Sequence, residues 1–365
     1  MALPPCHRRI EAPAERAPAR RVPGRRGTRA PAFAGILAAF VALAVGCGGS
    51  EAGSGANGGG TAHGRTKVTL RLDWVAQGYQ APFYVALGRG FYKQAGLDVD
   101  IRDGRGTSTT IKTVANGSDT FGFGQLSEVA LAIANHGLPL EAVAGVFQQM
   151  PDAIFARRTS GITSARDLVG KEVISSAGDS TRTFFPAVAA ANGFDADKVK
   201  FLNVSSESKT RAFVAGRGDA MLNFASEAFA VRRAKVDAVV LRYADLGVNV
   251  ISQGLFTKDS YVDQHADVVR RFVQASMRGL RYARDHPRAA AGWVLRYRPG
   301  AETAPQALFE LQSSLPLLLT RRTRGHPLGY MAPADWAQSV ELLARFQGMK
   351  RVAADRIFTN QFVGR

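Results

Sequence analysis

The sequence predicts an α/β protein built as two lobes. Three observations carry that reading. Short runs of alternating apolar and polar residues are separated by helix-length stretches from residue 68 to residue 256. About 300 residues follow a low-complexity N-terminal part, more than one compact core ordinarily holds. Beyond residue 262 the pattern is helical only. Alternating strands and helices argue for parallel sheets. The strandless end argues for a helical cap that packs back on the first lobe.

Taken in order, Val68, Leu70 and Leu72 alternate with polar residues and predict a strand ending at Asp73-Trp74. A helix over 82–94 stops at Ala95-Gly96, and Leu97, Val99 and Ile101 mark a second strand. After a turn at 104–107, Ser108-Thr109 cap a helix that runs to Asn116-Gly117. A third strand covers 120–124, and Ser127 opens a helix over 128–135 that Gly137 ends. Strands follow at 142–147, 153–156 and 172–175, with a short helix at 165–169. Ser180-Thr181 begin a helix reaching Asn192-Gly193. Strands at 199–204, 219–224, 239–242 and 248–256 are interleaved with helices at 208–215 and 226–235. Helices at 267–285, 287–296, 305–319 and 333–347 close the chain. Pro287, Pro305 and Pro333 sit near helix starts, where a missing N–H costs nothing.

The N-terminal part reads as an address. An arginine-rich stretch precedes the uncharged run 32–46, and small residues lead to Cys47. That is the pattern of a secretory signal peptide over residues 1–46. The run is too short for a membrane span, which needs about 20 apolar residues. A cysteine directly after Gly46 resembles a bacterial lipobox, although Ala44 stands where Leu is usual. The resemblance implies that Cys47 carries a diacylglyceryl group and anchors the chain to the outer face of a membrane. Residues 1–30 are long and Pro/Arg-rich for such a signal, and a later start, for instance at Val22, would leave an ordinary one. Residues 47–64 then form a Gly/Ser-rich flexible tether.

Composition removes several function classes. The formal charge is +17, of which residues 1–47 carry eight Arg against two Glu. The remaining excess is scattered and reads as a solvated basic surface near anionic head groups, not as a nucleic-acid face. Cys6 and Cys47 are the two cysteines, so nothing after the anchor offers a disulfide, a thiolate metal site or a thiol nucleophile. The six His are dispersed with no metal-ligand spacing, and no phosphate loop or nucleophile elbow occurs. The expectations are therefore no metal, no cofactor and no enzyme.

Polar and aromatic residues gather instead at strand-to-helix junctions. Asp73, Trp74, Gln77, Tyr79, Gln80 and Phe83 follow the first strand, and Ser108 and Thr109 the second. Gln125 and Ser127 follow the third; Ser180 and Thr181 open a helix after Gly178; Asn223 and Glu227 flank Phe224. Ligands of open α/β sheets bind beyond the carboxyl ends of strands, where helix starts offer free N–H groups. Each junction alone reads more readily as a plain cap or a core aromatic. Together they predict a ligand cleft.

Several segments resemble one family. They are Leu72-Asp73-Trp74, the stretches 81–92 and 95–99, 106–117, 119–124, Gly137-Leu138-Pro139, 167–171, 216–220, Gly329-Tyr330-Met331, Trp336 and 358–360. In order and spacing they resemble the thiamine-pyrimidine-precursor binding proteins, relatives of the sulfonate, taurine and nitrate receptors of ABC importers. The resemblance implies a type II periplasmic-binding-protein fold with crossovers near 152–156 and 248–255. Lobe 1 would comprise 65–154 plus 251–365 with the helical cap, and lobe 2 residues 155–250. It also implies a monomer that closes by hinge motion on a small-molecule ligand and delivers it to a permease and its ATPase. Trp74 best matches the ring that stacks on a pyrimidine, and Glu227 the carboxylate that bonds its amino group. Gln77 and Gln80 stand where relatives often have Asn and His, which leaves the ligand open. Trp74, Phe83 and Tyr79 favour a flat heteroaromatic ring, whereas the Arg excess favours an aliphatic sulfonate or similar anion. Fungal relatives make the pyrimidine phosphate with a cysteine-rich stretch that this chain lacks.

Overall fold

The computed structural model describes residues 64–364. The expected signal, Cys47 and the tether up to residue 63 lie outside the described residues. Four strands open the first sheet: β1 (Thr66–Arg71), β2 (Leu97–Arg102), β3 (Phe121–Gln125) and β4 (Leu140–Phe147). The chain then crosses to a second sheet of β5 (Asp152–Arg157), β6 (Glu172–Ser175), β7 (Lys200–Asn203), β8 (Ala220–Phe224) and β9 (Ala238–Arg242). It returns as β10 (Gln253–Lys258). The sheet orders are β2-β1-β3-β10-β4 and β7-β6-β8-β5-β9.

The expected parallel sheets are mixed. β1 runs parallel to β2 and β3, but β10 is antiparallel to β3 and β4. Likewise β6 is parallel to β7 and β8, but β5 is antiparallel to β8 and β9. The two reversed strands are the ones reached by crossing from the other sheet. Alternation of apolar residues reports which face is buried, not which way a strand runs. The strand expected at 248–256 pairs only from Gln253 onward, because Ile251 N–H donates to Ser339 Oγ (2.9 Å) instead of to a neighbouring strand.

Helices fill the connections. The helix expected at 82–94 is two, α1 (Ala81–Gly88) and α2 (Phe91–Gln94), broken where Gly90 takes a left-handed φ of 73°. α3 (Thr107–Ala115) and α4 (Leu126–His136) follow β2 and β3. The helix expected from Ser180 also divides, into α5 (Ser180–Thr183) and α6 (Phe185–Ala191), with Pro186 in the first turn of the second. α7 (Lys209–Val214) and α8 (Ala228–Arg233) belong to the second sheet's connections. α9 (Asp259–Gln264), α10 (Ala266–Asp285), α11 (Pro287–Tyr297), α12 (Ala304–Ser314) and α13 (Pro333–Gln347) end the chain. Among the described residues no helix is long and apolar enough to cross a membrane.

Three apolar clusters fix these elements, the smallest packing Phe213 of α7 and Val231 of α8 against Phe155 of β5 and Met221 of β8. In the first, Phe272 of α10 stacks on Phe121 of β3 (3.9 Å between ring centroids) and on Tyr92 of α2 (5.5 Å). The Tyr92 hydroxyl finds Ser276 Oγ at 2.9 Å, so the ring is buried without losing its polar tip. The second cluster runs from α4 and β4 through Trp336 of α13 to β5 and β6. Trp336 stacks on Phe358 (5.3 Å), whose backbone bridges Ala142 of β4. The two crossings are tied together by Asn249, which accepts from Met150 N–H (2.9 Å) and donates to Gln148 O (3.0 Å). The C-terminal segment holds the first crossing, since Gln148 and Gln149 N–H both donate to Leu317 O.

Phe272→Ala removes the ring shared by Phe121 and Tyr92. Large-to-small changes at such positions cost about 3–5 kcal/mol. Urea unfolding is expected to show that loss with an unchanged denaturant slope; a loss below about 1 kcal/mol would mean that the three rings do not act as one packing unit.

Candidate functional site

A cavity of ≈ 670 Å³ is walled by residues of both sheets, both crossings and α12. Behind the cavity lies Asp73, two residues beyond the end of β1. The Asp73 carboxylate is buried and accepts from Gln80 Nε2 (2.7 Å), Tyr79 OH (3.0 Å) and Gln253 Nε2 (2.7 Å). Its own carbonyl accepts from Gly106 N–H (2.7 Å). No cation among the described residues takes part. Burial therefore raises the Asp73 pKa, against the pull of its three donors. Gln80 is fixed in turn, because its Oε1 accepts Gln77 N–H (2.9 Å) in the 3-10 turn Gly78–Gln80. This network aims the Tyr79 ring and Gln253 at the cavity wall. Burial, and then the Asp73 charge, raise the Tyr79 pKa, so the phenol stays a donor.

The opposite wall comes from the second sheet. Asp152 opens β5 and accepts from Ser180 Oγ (2.6 Å) at the start of α5. Burial pushes the Asp152 pKa up to about 6. Phe147, Phe184 and Phe224 supply aromatic surface, and Gln77, Gln125, Ser127 and Ser252 neutral polar groups. Gln125 Oε1 accepts from Ser252 Oγ (3.3 Å), joining β3 to the second crossing. The wall carries three carboxylates, Asp152, Glu128 and Glu310, and no Lys, Arg or His among the described residues.

Glu310 reaches the cavity from α12 because Gly78 lets that helix come close. A Cβ on Gly78 would lie 1.9 Å from Ala307 O. Gly78 N–H donates to Glu310 Oε2 (3.2 Å) and Gln306 Nε2 to Glu310 Oε1 (3.2 Å). Nearby, both carboxylate oxygens of Glu302 are buried with no hydrogen-bond partner among the described residues. Burial, then the Glu310 charge, push the Glu302 pKa up to about 8.

The expected site residues divide into three groups. Gln77, Tyr79, Gln125, Ser127 and Ser180 line the cavity, and Asp73 and Gln80 organise it from behind. The others do not reach its wall. Phe83 is a core residue, edge-on to Phe123 (4.9 Å), because its position on α1 faces the sheet. Trp74 is 50% exposed, and Ser108 and Thr109 lie on the solvent face of α3. Thr181 is buried with its carbonyl taken by the Tyr243 hydroxyl. Asn223 and Glu227 both bond Thr210, at 3.0 and 2.7 Å, and neither is among the residues lining the cavity. Reasoning from strand ends missed Phe147, Met150, Gln253 and the α12 residues Glu310, Ser313 and Ser314.

A model of the family described as "NMT1/THI5 like" matches residues 77–290, more than half of the chain. The chain belongs to the NMT1/THI5-like family. It is 28% identical over 306 residues to the riboflavin-binding protein RibY of Chloroflexus aurantiacus, covering 81% of this chain and 86% of that one. It is 25% identical over 244 residues to the 4-amino-5-hydroxymethyl-2-methylpyrimidine phosphate synthase of Legionella pneumophila, covering 66% of this chain and 76% of that one. Among solved structures it is similar to the putative periplasmic sulfonate-binding protein SsuA of Methylobacillus flagellatus, with TM-score 0.63, 14% identity and coverage of 82% and 93%. The expected periplasmic-binding-protein fold is thus borne out.

The expectation that the chain is no enzyme is overturned, since the NMT1/THI5-like relatives include a named synthase. That expectation rested on missing thiols and missing motifs, which exclude only thiol and motif-bound chemistry. This NMT1/THI5-like cavity holds a carboxyl of raised pKa 2.6 Å from a serine hydroxyl, and such a pair can exchange a proton with a bound molecule.

Glu302 generates a pH prediction. Between its ordinary 4.5 and about 8 the folded chain keeps a proton that the unfolded chain releases. Stability from this group is complete below that window and falls as pH rises through it. Glu302→Gln is expected to remove this fall in unfolding curves taken from pH 4.5 to 8.5. Parallel curves for wild type and variant would mean that Glu302 ionises normally.

Proposed function

We propose that this chain is the extracytoplasmic binding component of an ABC importer and that its cavity captures a flat nitrogen heteroaromatic, a thiamine-pyrimidine precursor or a fused ring of the flavin kind. In this reading residues 1–46 are a signal, lipid on Cys47 holds the chain at the membrane through the tether 47–64, and the domain works as a monomer. Lobes 65–154 plus 251–365 and 155–250 close about the two crossings and present the loaded cavity to the permease and its ATPase.

One observation carries the choice of ligand. Rings from Tyr79, Phe147, Phe184 and Phe224 alternate with amides and hydroxyls on a wall that has three carboxylates and no basic side chain among the described residues. A sulfonate or nitrate would enter without a counter-charge and beside Asp152 and Glu310, which disfavours it. A heteroaromatic ring meets aromatic faces, and its N–H groups meet carboxylate and amide acceptors. The printed names of the two relatives, a riboflavin-binding protein and a pyrimidine phosphate synthase, are consistent with this ligand class. The ≈ 670 Å³ volume suits a fused ring better than a single one.

Thermal unfolding with riboflavin, 4-amino-5-hydroxymethyl-2-methylpyrimidine and taurine separates the readings. A true ligand at a hundred times its Kd adds about 2.7 kcal/mol, several degrees in Tm. Riboflavin or the pyrimidine is expected to give that shift, and Tyr79→Ala to weaken binding by roughly tenfold or more. A shift with taurine alone would overturn the proposal.

A further inference from the structure

The two crossings form a wall shared with a second cavity, of ≈ 530 Å³. Met150 and Val250 face the first cavity, while their neighbours Gln149 and Asn249 face the second. The charge is opposite in sign. Arg242, Arg321, Arg322 and Arg324 line the second cavity against two carboxylates, Asp245 and Asp335. Arg242 pairs with Asp245 (2.8 Å) and Arg322 with Asp335 (2.7 Å). Asp335 is further bound by Thr320 Oγ1. Arg321 and Arg324, exposed residues of that lining, make no ion pair among the described residues.

We propose that this second cavity binds a phosphate-type anion between Arg242 and the Arg321–Arg324 pair. A guanidinium presents paired N–H donors that match phosphate oxygens. The two sides of the site come from different parts of the fold. Arg242 ends β9 of the second sheet, whereas residues 320–324 lie between α12 and α13. The elements flanking that second segment are fastened to both crossings: Gln149 Nε2 donates to Leu319 O, just before it, and Gln338 Nε2 of α13 to Gly247 O (3.1 Å). An anion held by both sides therefore fixes the setting of the crossings that also wall the first cavity, which couples the two sites. The phosphate can be free in solution or be part of an anionic lipid head group.

Calorimetric titration of the full chain with Cys47→Ser tests this, using inorganic phosphate at constant ionic strength with chloride as control. The expected result is saturable phosphate binding that Arg321→Ala/Arg324→Ala weakens by roughly tenfold or more, together with slower amide exchange at 148–151 and 249–252. A second arm uses vesicles of phosphatidylglycerol against phosphatidylcholine. Sedimentation with phosphatidylglycerol alone, abolished by the double variant, assigns the phosphate to a lipid. If neither phosphate nor phosphatidylglycerol distinguishes the wild type from the double variant, no site exists there. Phosphate binding that leaves exchange at the crossings unchanged overturns the clamp.

Discussion

Asp73 is a buried carboxylate satisfied entirely by neutral donors, and the shape of the cavity depends on it. Its oxygens gather Tyr79, Gln80 and Gln253, and its carbonyl takes Gly106 N–H. Those partners lie on the turn before α1, on the returning strand β10 and on the loop before α3. Each would leave a buried oxygen of Asp73 under-bonded if it moved, at a cost of about 1–3 kcal/mol per lost bond. The network thus holds a local turn and a strand 180 residues away in one geometry. No cation among the described residues neutralises it, and burial raises its pKa against the pull of its three donors.

Charge is unevenly distributed over the molecule. The chain is strongly basic, yet the first cavity has carboxylates and amides on its wall and no basic side chain among the described residues. Guanidiniums collect instead on the far side of the crossings. On the proposed reading, segregation of this kind suits one cavity to N–H-bearing rings and the other to anions. Because Met150 and Gln149, like Val250 and Asn249, face different cavities, the same two short segments separate and connect them.

Much of this was legible in the sequence, for identifiable reasons. The strand ending at Asp73 and the helix starts at Ser127 and Ser180 have local signatures: alternation, then a polar residue where the pattern changes. Their side chains accordingly fall at or under the cavity. Gln253, Glu310 and Ser313 carry no such signature; they reach the cavity because a crossing and α12 fold back on the turn at Gly78, a contact made by chain topology. Phe83 was misplaced because an aromatic in a short helix looks alike from either side. Strand direction was hidden too, since β5 and β10 show the same burial pattern whether parallel or antiparallel. The Trp74–Glu227 pairing came from a family pattern, and Glu227 has its own partner in Thr210.

Native mass spectrometry of the purified protein, mixed with equal amounts of riboflavin, aminopyrimidine and alkanesulfonate, tests the central claim most directly. The account predicts a single added mass, that of a heteroaromatic, lost when Tyr79 is replaced by Ala. Retention of the sulfonate mass, or of a heteroaromatic mass that survives Tyr79→Ala unchanged, would contradict it.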